Sequence, residues 1–347
     1  MPQIKVLVVD DSLLMQKVIS DLLQVDTQIS VIGTARDGGE ALSKVASLHP
    51  DVVTMDIEMP IMNGLTAVRK IMETNPVPVV MISALTQREA KITMKALEFG
   101  AIDYVPKPGG QISLSMDSVS QELISKIKTA AQAQVVKPCL QQNPEEKVEM
   151  TSCDKIIAIA ASTGGPQALT TILVKLPRNI PPTLIVQHMP EGFTKIFAEG
   201  LGEQCKFRVK EAEEGDKLSE GLALVAPGNF HMKVTGGERI HLSKDAPVNF
   251  VRPSADPTLI SVAEMFGPKV IGVVLTGMGN DGAKGLATIK QKGGQTIAQD
   301  EKTSVVFGMP KVAIATGCVD IVSPLEKIPE EIIRICERTP NHSVGNQ

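Results

Sequence analysis

Residues 4–12 read Ile-Lys-Val-Leu-Val-Val-Asp-Asp-Ser, an apolar run that stops on two carboxylates and a hydroxyl. Leu13, Leu14, Val18, Ile19, Leu22 and Leu23 follow at helical spacing. A buried strand that ends on polar residues and turns directly into an amphipathic helix is the opening unit of an alternating α/β sheet. The unit recurs. Strand-like runs stand at Ile29–Ala35, Val52–Met55, Val77–Ile82 and Tyr104-Val105, with helical stretches at Gly39–Leu48, Gly64–Glu73 and Arg88–Phe99. This alternation predicts a parallel sheet wound on both faces. Ser118–Ala133 reads as the closing helix, with Ser118 and Gln121 spaced as a capping box.

Periodicity fades from about Thr129 to Met150, where Gln, Pro and Glu gather as in a linker. A second alternation then begins, with strands at Ile156–Ala161, Leu184–His188, Leu222–Ala226, Val270–Leu275 and Thr296–Gln299. The expected organisation is an α/β domain over 1–125, a linker over 126–150, a second α/β domain over 151–340 and a frayed tail over 341–347. A length of 347 residues suits two domains, and 43% hydrophobic with 21% charged residues suits buried cores.

Several function classes are disfavoured. A formal net charge of −4 argues against a broad nucleic-acid or anionic-membrane surface. Aromatic residues make up 3%, with no Trp and one Tyr, which leaves little for base stacking. No apolar run approaches the ~18–20 residues of a membrane span. The chain enters its first strand without a leader pattern. Cys139, Cys153, Cys205, Cys318 and Cys336 form no C-x-x-C, so neither a disulfide framework nor zinc is expected and a cytoplasmic protein is.

The polar residues of the first half stand at the carboxyl ends of its strands: Asp10 and Asp11, Asp56, Ser83 and Lys107. That edge of an open parallel sheet is where ligands bind. Three converging carboxylates repel one another unless a hard cation joins them, and Mg²⁺ suits few carboxylates plus phosphate oxygens. Asp56 then suits a phosphoryl acceptor, Lys107 a point charge for a phosphate oxygen, and Ser83 a hydrogen-bond donor. Any one Asp or Ser there serves equally as a helix cap, but capping does not call for a strand-end Lys. The set Val8-Val9-Asp10-Asp11-Ser12, Met55-Asp56-Ile57-Glu58-Met59-Pro60, Ser83-Ala84 and Tyr104-Val105-Pro106-Lys107-Pro108 resembles the receiver domain of two-component response regulators. That resemblance implies a flavodoxin-like fold and Asp56 as phosphoacceptor. It implies Mg²⁺ held by Asp11, Asp56 and the Glu58 carbonyl with Asp10 assisting. It further implies a switch at Ser83 and Tyr104, and a cis Lys107–Pro108 peptide.

In the second half, Ala160-Ala161-Ser162-Thr163-Gly164-Gly165-Pro166 follows a strand and opens a helix. Its glycines allow a tight corner and Pro166 suits the first helical turn. Ser162 there lies beside helix N-terminal N–H groups, where it serves as a cap, a phosphate-loop residue or a nucleophile. His188 ends a strand and is a candidate general base, a structural imidazole being the alternative. His231 and His241 read as turn or hairpin residues, and His49 as a loop residue. Thr276-Gly277-Met278-Gly279-Asn280-Asp281-Gly282 follows another strand, and Asp281 there is placed to orient an imidazole. Gly277-x-Gly279-x-x-Gly282 with Asp300 beyond it is also formally a dinucleotide fingerprint, but Asp281 would repel a pyrophosphate.

Ile159-Ala160-Ala161-Ser162-Thr163-Gly164-Gly165-Pro166, Val186-Gln187-His188-Met189-Pro190, Ala226-Pro227-Gly228, Arg252-Pro253-Ser254-Ala255-Asp256 and the 276–282 loop together resemble the chemotaxis protein-glutamate methylesterases of the CheB family. The resemblance implies a Rossmann-like catalytic domain behind its receiver, and a Ser162–His188–Asp281 mechanism with the Met278 amide as oxyanion donor. It implies hydrolysis of γ-glutamyl methyl esters on methylated chemoreceptors, and deamidation of receptor glutamines, with no cofactor for catalysis. The expected phosphodonor is the chemotaxis histidine kinase. Binding to nucleic acid and insertion into membrane are not expected, and a monomer is. Arg252, Ser254 and Asp256 read as structural, with Ser254 or Asp256 starting a helix before Pro257.

Overall fold

The computed structural model describes residues 3–84, 86–108, 116–133, 135 and 153–337. Its first unit runs β1 (Ile4–Val9), α1 (Leu13–Gln24), β2 (Ile29–Ala35), α2 (Gly38–Leu48), β3 (Val52–Asp56), α3 (Gly64–Thr74), β4 (Val79–Ser83), α4 (Gln87–Glu98), β5 (Asp103–Pro106) and α5 (Met116–Ala130). The five strands are parallel in the order β2-β1-β3-β4-β5. β3 and β4 are buried at every residue, as expected of a sheet covered by helices on both faces. Side chains cap the helices as their sequences suggest. Ser12 Oγ accepts from Met15 N, and Asp37 Oδ1 accepts from Gly39 N and Glu40 N.

The second unit runs β6 (Ile156–Ala161), α6 (Gly165–Leu173), β7 (Thr183–Gln187), α7 (Phe193–Gln204), β8 (Arg208–Glu211), β9 (Leu222–Val225), β10 (His231–Thr235), β11 (Arg239–Ser243), α8 (Ala255–Phe266), β12 (Val270–Val274), α9 (Ala283–Gln291), β13 (Gln295–Gln299), α10 (Met309–Ala315), β14 (Ile321–Ser323) and α11 (Ile328–Glu337). Seven strands pair parallel in the order β14-β13-β12-β6-β7-β9-β8, while β10 and β11 form a separate antiparallel hairpin. The expected class of two doubly wound parallel α/β units is the observed one.

In both sheets the chain reverses direction beside its first strand. β1 lies between β2 and β3, and β6 lies between β7 and β12. Loops leaving such neighbours diverge to opposite faces and open a crevice at their carboxyl ends. Asp10, Asp11 and Asp56 leave one crevice; Ser162 and the 276–282 loop leave the other.

Three sequence expectations change. α5 begins at Met116, so Ser118 lies inside the helix and not at its cap, and the helix continues to Ala130, past the boundary drawn at 125. β8 and β14 were not legible, being short edge segments without alternation. The cis peptide among the described residues is Arg252–Pro253, not Lys107–Pro108. Most of the 126–150 linker and the whole 341–347 tail lie outside the described residues.

Candidate active site and phosphoacceptor pocket

β6 ends at Ala161 and the chain turns into α6 through Gly164, whose φ of +75° suits a residue without Cβ. Ser162 is pinned at this corner, its N–H donating to Thr276 O at 3.0 Å and its carbonyl accepting from Gly165 N at 2.7 Å. The 276–282 loop closes against it. A Cβ on Gly277 would stand 2.6 Å from the Ser162 Cβ, so this position must be glycine for the loop to lie over the hydroxyl. Gly308 and Met309 hold that loop by donating to Gly277 O at 3.1 and 2.8 Å.

His188, one residue beyond β7, brings Nδ1 to 3.1 Å from Ser162 Oγ and Nε2 to 2.7 Å from Asp281 Oδ2. Asp281 is buried and receives four further donors. Ser254 Oγ, Asn249 Nδ2 and Asp256 N donate to Oδ1 at 2.7, 2.8 and 3.2 Å, and Ala255 N donates to Oδ2 at 2.6 Å. Burial alone would raise the Asp281 pKa, but the His188 ring and the Ser254 and Ala255 donors outweigh it and hold the carboxyl well below the ordinary range. The aspartate therefore stays ionised and takes Nε2–H, which leaves the Nδ1 lone pair facing Ser162. The neighbouring Asp256 is shifted upward, by burial first and then by the Asp281 charge.

In the first unit, Asp10, Asp11 and Asp56 offer carboxylate oxygens that all lie within 4.8 Å of one another. Lys107 Nζ stands 2.7 Å from Asp56 Oδ1 and 3.6 Å from Asp10 Oδ2. Asp10 Oδ2 and Asp56 Oδ2 are buried without a hydrogen-bond partner, which is what a carboxylate pair shaped for a hard cation presents. Burial pushes the Asp56 pKa up to about 6 against the lowering influence of Lys107. For Lys107 the balance is opposite: burial opposes its charge, but Asp56 and Asp10 prevail and its pKa rises. The Glu58 side chain pairs with Arg88 at 3.2 Å, outside the acidic cluster. Ser83 Oγ donates to Ala84 O at 3.1 Å and accepts from Thr93 Oγ1 at 2.9 Å.

The model of the CheB methylesterase family matches residues 157–332, and that of the response regulator receiver domain matches residues 6–116. The chain belongs to the CheB methylesterase family. A protein-glutamate methylesterase/protein-glutamine glutaminase of Pyrococcus abyssi (strain GE5 / Orsay) is 53% identical over 96% of this chain and 94% of that protein. One of Archaeoglobus fulgidus is 46% identical over 96% of this chain and 98% of its own length. The crystal structure of the Thermotoga maritima CheB methylesterase catalytic domain, 46% identical, covers 52% of this chain and 98% of that one with a TM-score of 0.51. This chain is an enzyme of that family, with its receiver domain in front.

The two units are in contact beside Ser162. Thr163 Oγ1 donates to Asp103 Oδ2 at 2.7 Å, and Gln167 Nε2 donates to the carbonyls of Ala101, at 2.8 Å, and Leu97. Tyr104 stacks on Phe193, with ring centroids 4.6 Å apart and planes 10° from parallel. Thr129 Oγ1 on α5 donates to Met278 Sδ at 2.8 Å, reaching the loop that faces the nucleophile. Of the anticipated residues, His188 is brought to Ser162 and Asp281 to His188, while Asp10, Asp11 and Lys107 are brought to Asp56; the Met278 side chain meets Thr129. Sequence reasoning missed Asn249 and took Ser254 only as a helix start. Ser254 does occupy the N-cap position of α8, yet its hydroxyl is turned to Asp281. His231 is fully buried, accepting from Ser254 N at 3.2 Å, so it braces this same segment.

Proposed function

We propose that this enzyme hydrolyses glutamate γ-methyl esters on the cytoplasmic helices of chemoreceptors, and deamidates particular receptor glutamines, under control of Asp56 phosphorylation. The observation that carries the chemistry is the Ser162–His188–Asp281 chain of contacts at 3.1 and 2.7 Å. Ser162 Oγ attacks the γ-carbonyl as His188 Nδ1 takes its proton, and Asp281 stabilises the imidazolium that results. The Met278 N–H serves the oxyanion. Collapse expels methanol, or ammonia from glutamine, carrying the proton from Nδ1. Water then adds to the acyl-serine with His188 again as base, releasing glutamate and Ser162.

Control follows from the interface. α5 and the α4–β5 connection lie against the residues flanking Ser162 and Met278, so a receptor helix and the receiver compete for one surface. Asp11, Asp56 and the Glu58 carbonyl, with Asp10 assisting, would hold Mg²⁺, which would supply positive charge opposite an incoming phosphoryl group, and the chemotaxis histidine kinase would be the phosphodonor. Lys107 and Ser83 meet the added charge, and Tyr104, already stacked on Phe193, transmits the adjustment to the catalytic domain. Such a protein works in the cytoplasm. The deciding experiment is methanol release from methylated receptor by wild type and Ser162→Ala; near-normal release by the variant removes the assignment.

A further inference from the structure

Val248 and Val251 exchange both backbone hydrogen bonds, at 3.2 and 3.0 Å, around a two-residue turn. Both turn residues are left-handed, Asn249 at φ +53° and Phe250 at φ +65°. A turn of this mirror-image kind takes Asn first and Gly second, because only glycine meets no Cβ penalty there. Here the second residue is phenylalanine, a bulky residue in a region it rarely adopts. Its side chain gains nothing from the fold in exchange: Phe250 is 101% exposed, and Val248 beside it is 36% exposed. Two unfavourable choices at one position, strain and an unburied ring, have no internal offset, and such strain collects at functional sites.

The location tells which function. Asn249, the other half of the turn, fixes it to the catalytic centre by donating to Asp281 Oδ1 at 2.8 Å and to Asp256 Oδ2 at 2.9 Å. The turn therefore moves with the catalytic aspartate as one body, and the ring projects from a rigid base. It stays uncovered while the receiver lies against Thr163, Gln167 and Met278, so a substrate reaches it before the receiver gives way. A lone γ-ester is too small to need such a handle. A polypeptide bearing that ester offers aliphatic side chains next to the modified glutamate, and burying a phenyl ring against them is favourable.

We propose that Phe250 grips the protein surface flanking the modified glutamate and so gives the enzyme its preference for protein-borne over free esters. This rests on the esterase reading above. The test compares membranes carrying methylated chemoreceptor with N-acetyl-glutamate α-amide γ-methyl ester, reading kcat/KM for each by methanol release. Phe250→Gly should lower the receptor-to-small-ester ratio roughly 10- to 100-fold, the range for losing one buried aromatic contact, mainly through KM. Because glycine relieves the turn, its melting temperature should hold or rise. Phe250→Tyr, which keeps the ring, should restore the ratio.

An unchanged ratio in Phe250→Gly overturns the proposal, as does a lower melting temperature, which would make the ring structural. Concentration-dependent self-association of wild type that Phe250→Gly abolishes also overturns it, assigning the ring to a second copy. Failure of wild type to release methanol from either substrate would instead remove the esterase reading beneath it.

Discussion

Gln167 is the side chain whose removal most directly separates the two units while leaving the catalytic groups in place. It projects from α6, and its Nε2 donates to Ala101 O at 2.8 Å and to Leu97 O, where the receiver's α4 gives way to β5. Opening the interface returns both carbonyls to water, so Gln167→Ala weakens only the closed form. Each such bond contributes a net of about 0.5–1.5 kcal/mol, so two contribute about 1–3 kcal/mol. The open-to-closed ratio then rises about 5- to 150-fold. Alanine favours the helix, so α6 should persist. The assay is methanol release from methylated receptor without phosphodonor and again with acetyl phosphate and Mg²⁺. The unphosphorylated rate should climb toward that of fragment Thr151–Gln347, the phosphorylated rate should change little, and the activation ratio should shrink. An unphosphorylated rate equal to that of wild type, in a variant that melts normally, would refute control by covering.

Four other outcomes follow from the geometry. Ser162→Ala should lower kcat by about 10⁶ and Asp281→Asn by about 10⁴, since the members of a triad act as a unit; a loss below tenfold for Ser162→Ala in the receptor assay contradicts the mechanism. Asp56, with its pKa near 6, is ionised above that pH and protonated below it, so acetyl phosphate labelling at limiting Mg²⁺ should fall as pH drops through 6; a labelling yield flat from pH 7.5 to 5 would oppose this. The same upward shift means that Asp56 favours folding below its unfolded value of 3.8 and loses that contribution as pH rises through about 6. Metal-free Asp56→Asn should accordingly resist urea better than wild type at pH 7.5, and a lower midpoint would count against it. Chelating Mg²⁺ should block labelling and spare basal hydrolysis; metal-dependent basal turnover would speak for a different active site.

Much of this architecture is written locally. Strands such as Ile4–Val9 and Ile156–Ala161 are continuous apolar runs ending on polar residues, and their helices carry the matching 3.6-residue spacing, so fold class and the strand-end positions of Asp10, Asp56, Ser162 and His188 follow from neighbours in the chain. The need for glycine at 277 is not local, since a Cβ there would stand 2.6 Å from the Ser162 Cβ on a different loop. What tertiary structure alone decided are contacts between residues far apart in sequence. Asn249 and Ser254 reach Asp281 from 32 and 27 residues away, and no periodicity announces such a pair. Which imidazole nitrogen faces Ser162 depends on where β7, β12 and α8 converge, not on the motif around His188. The meeting of Tyr104 with Phe193 depends on how the two sheets dock. Edge segments β8 and β14 take their pairing from a neighbouring strand that their own few residues do not specify. Local backbone preference places the chemistry at strand ends, and only long-range packing brings those ends to within a hydrogen bond of one another.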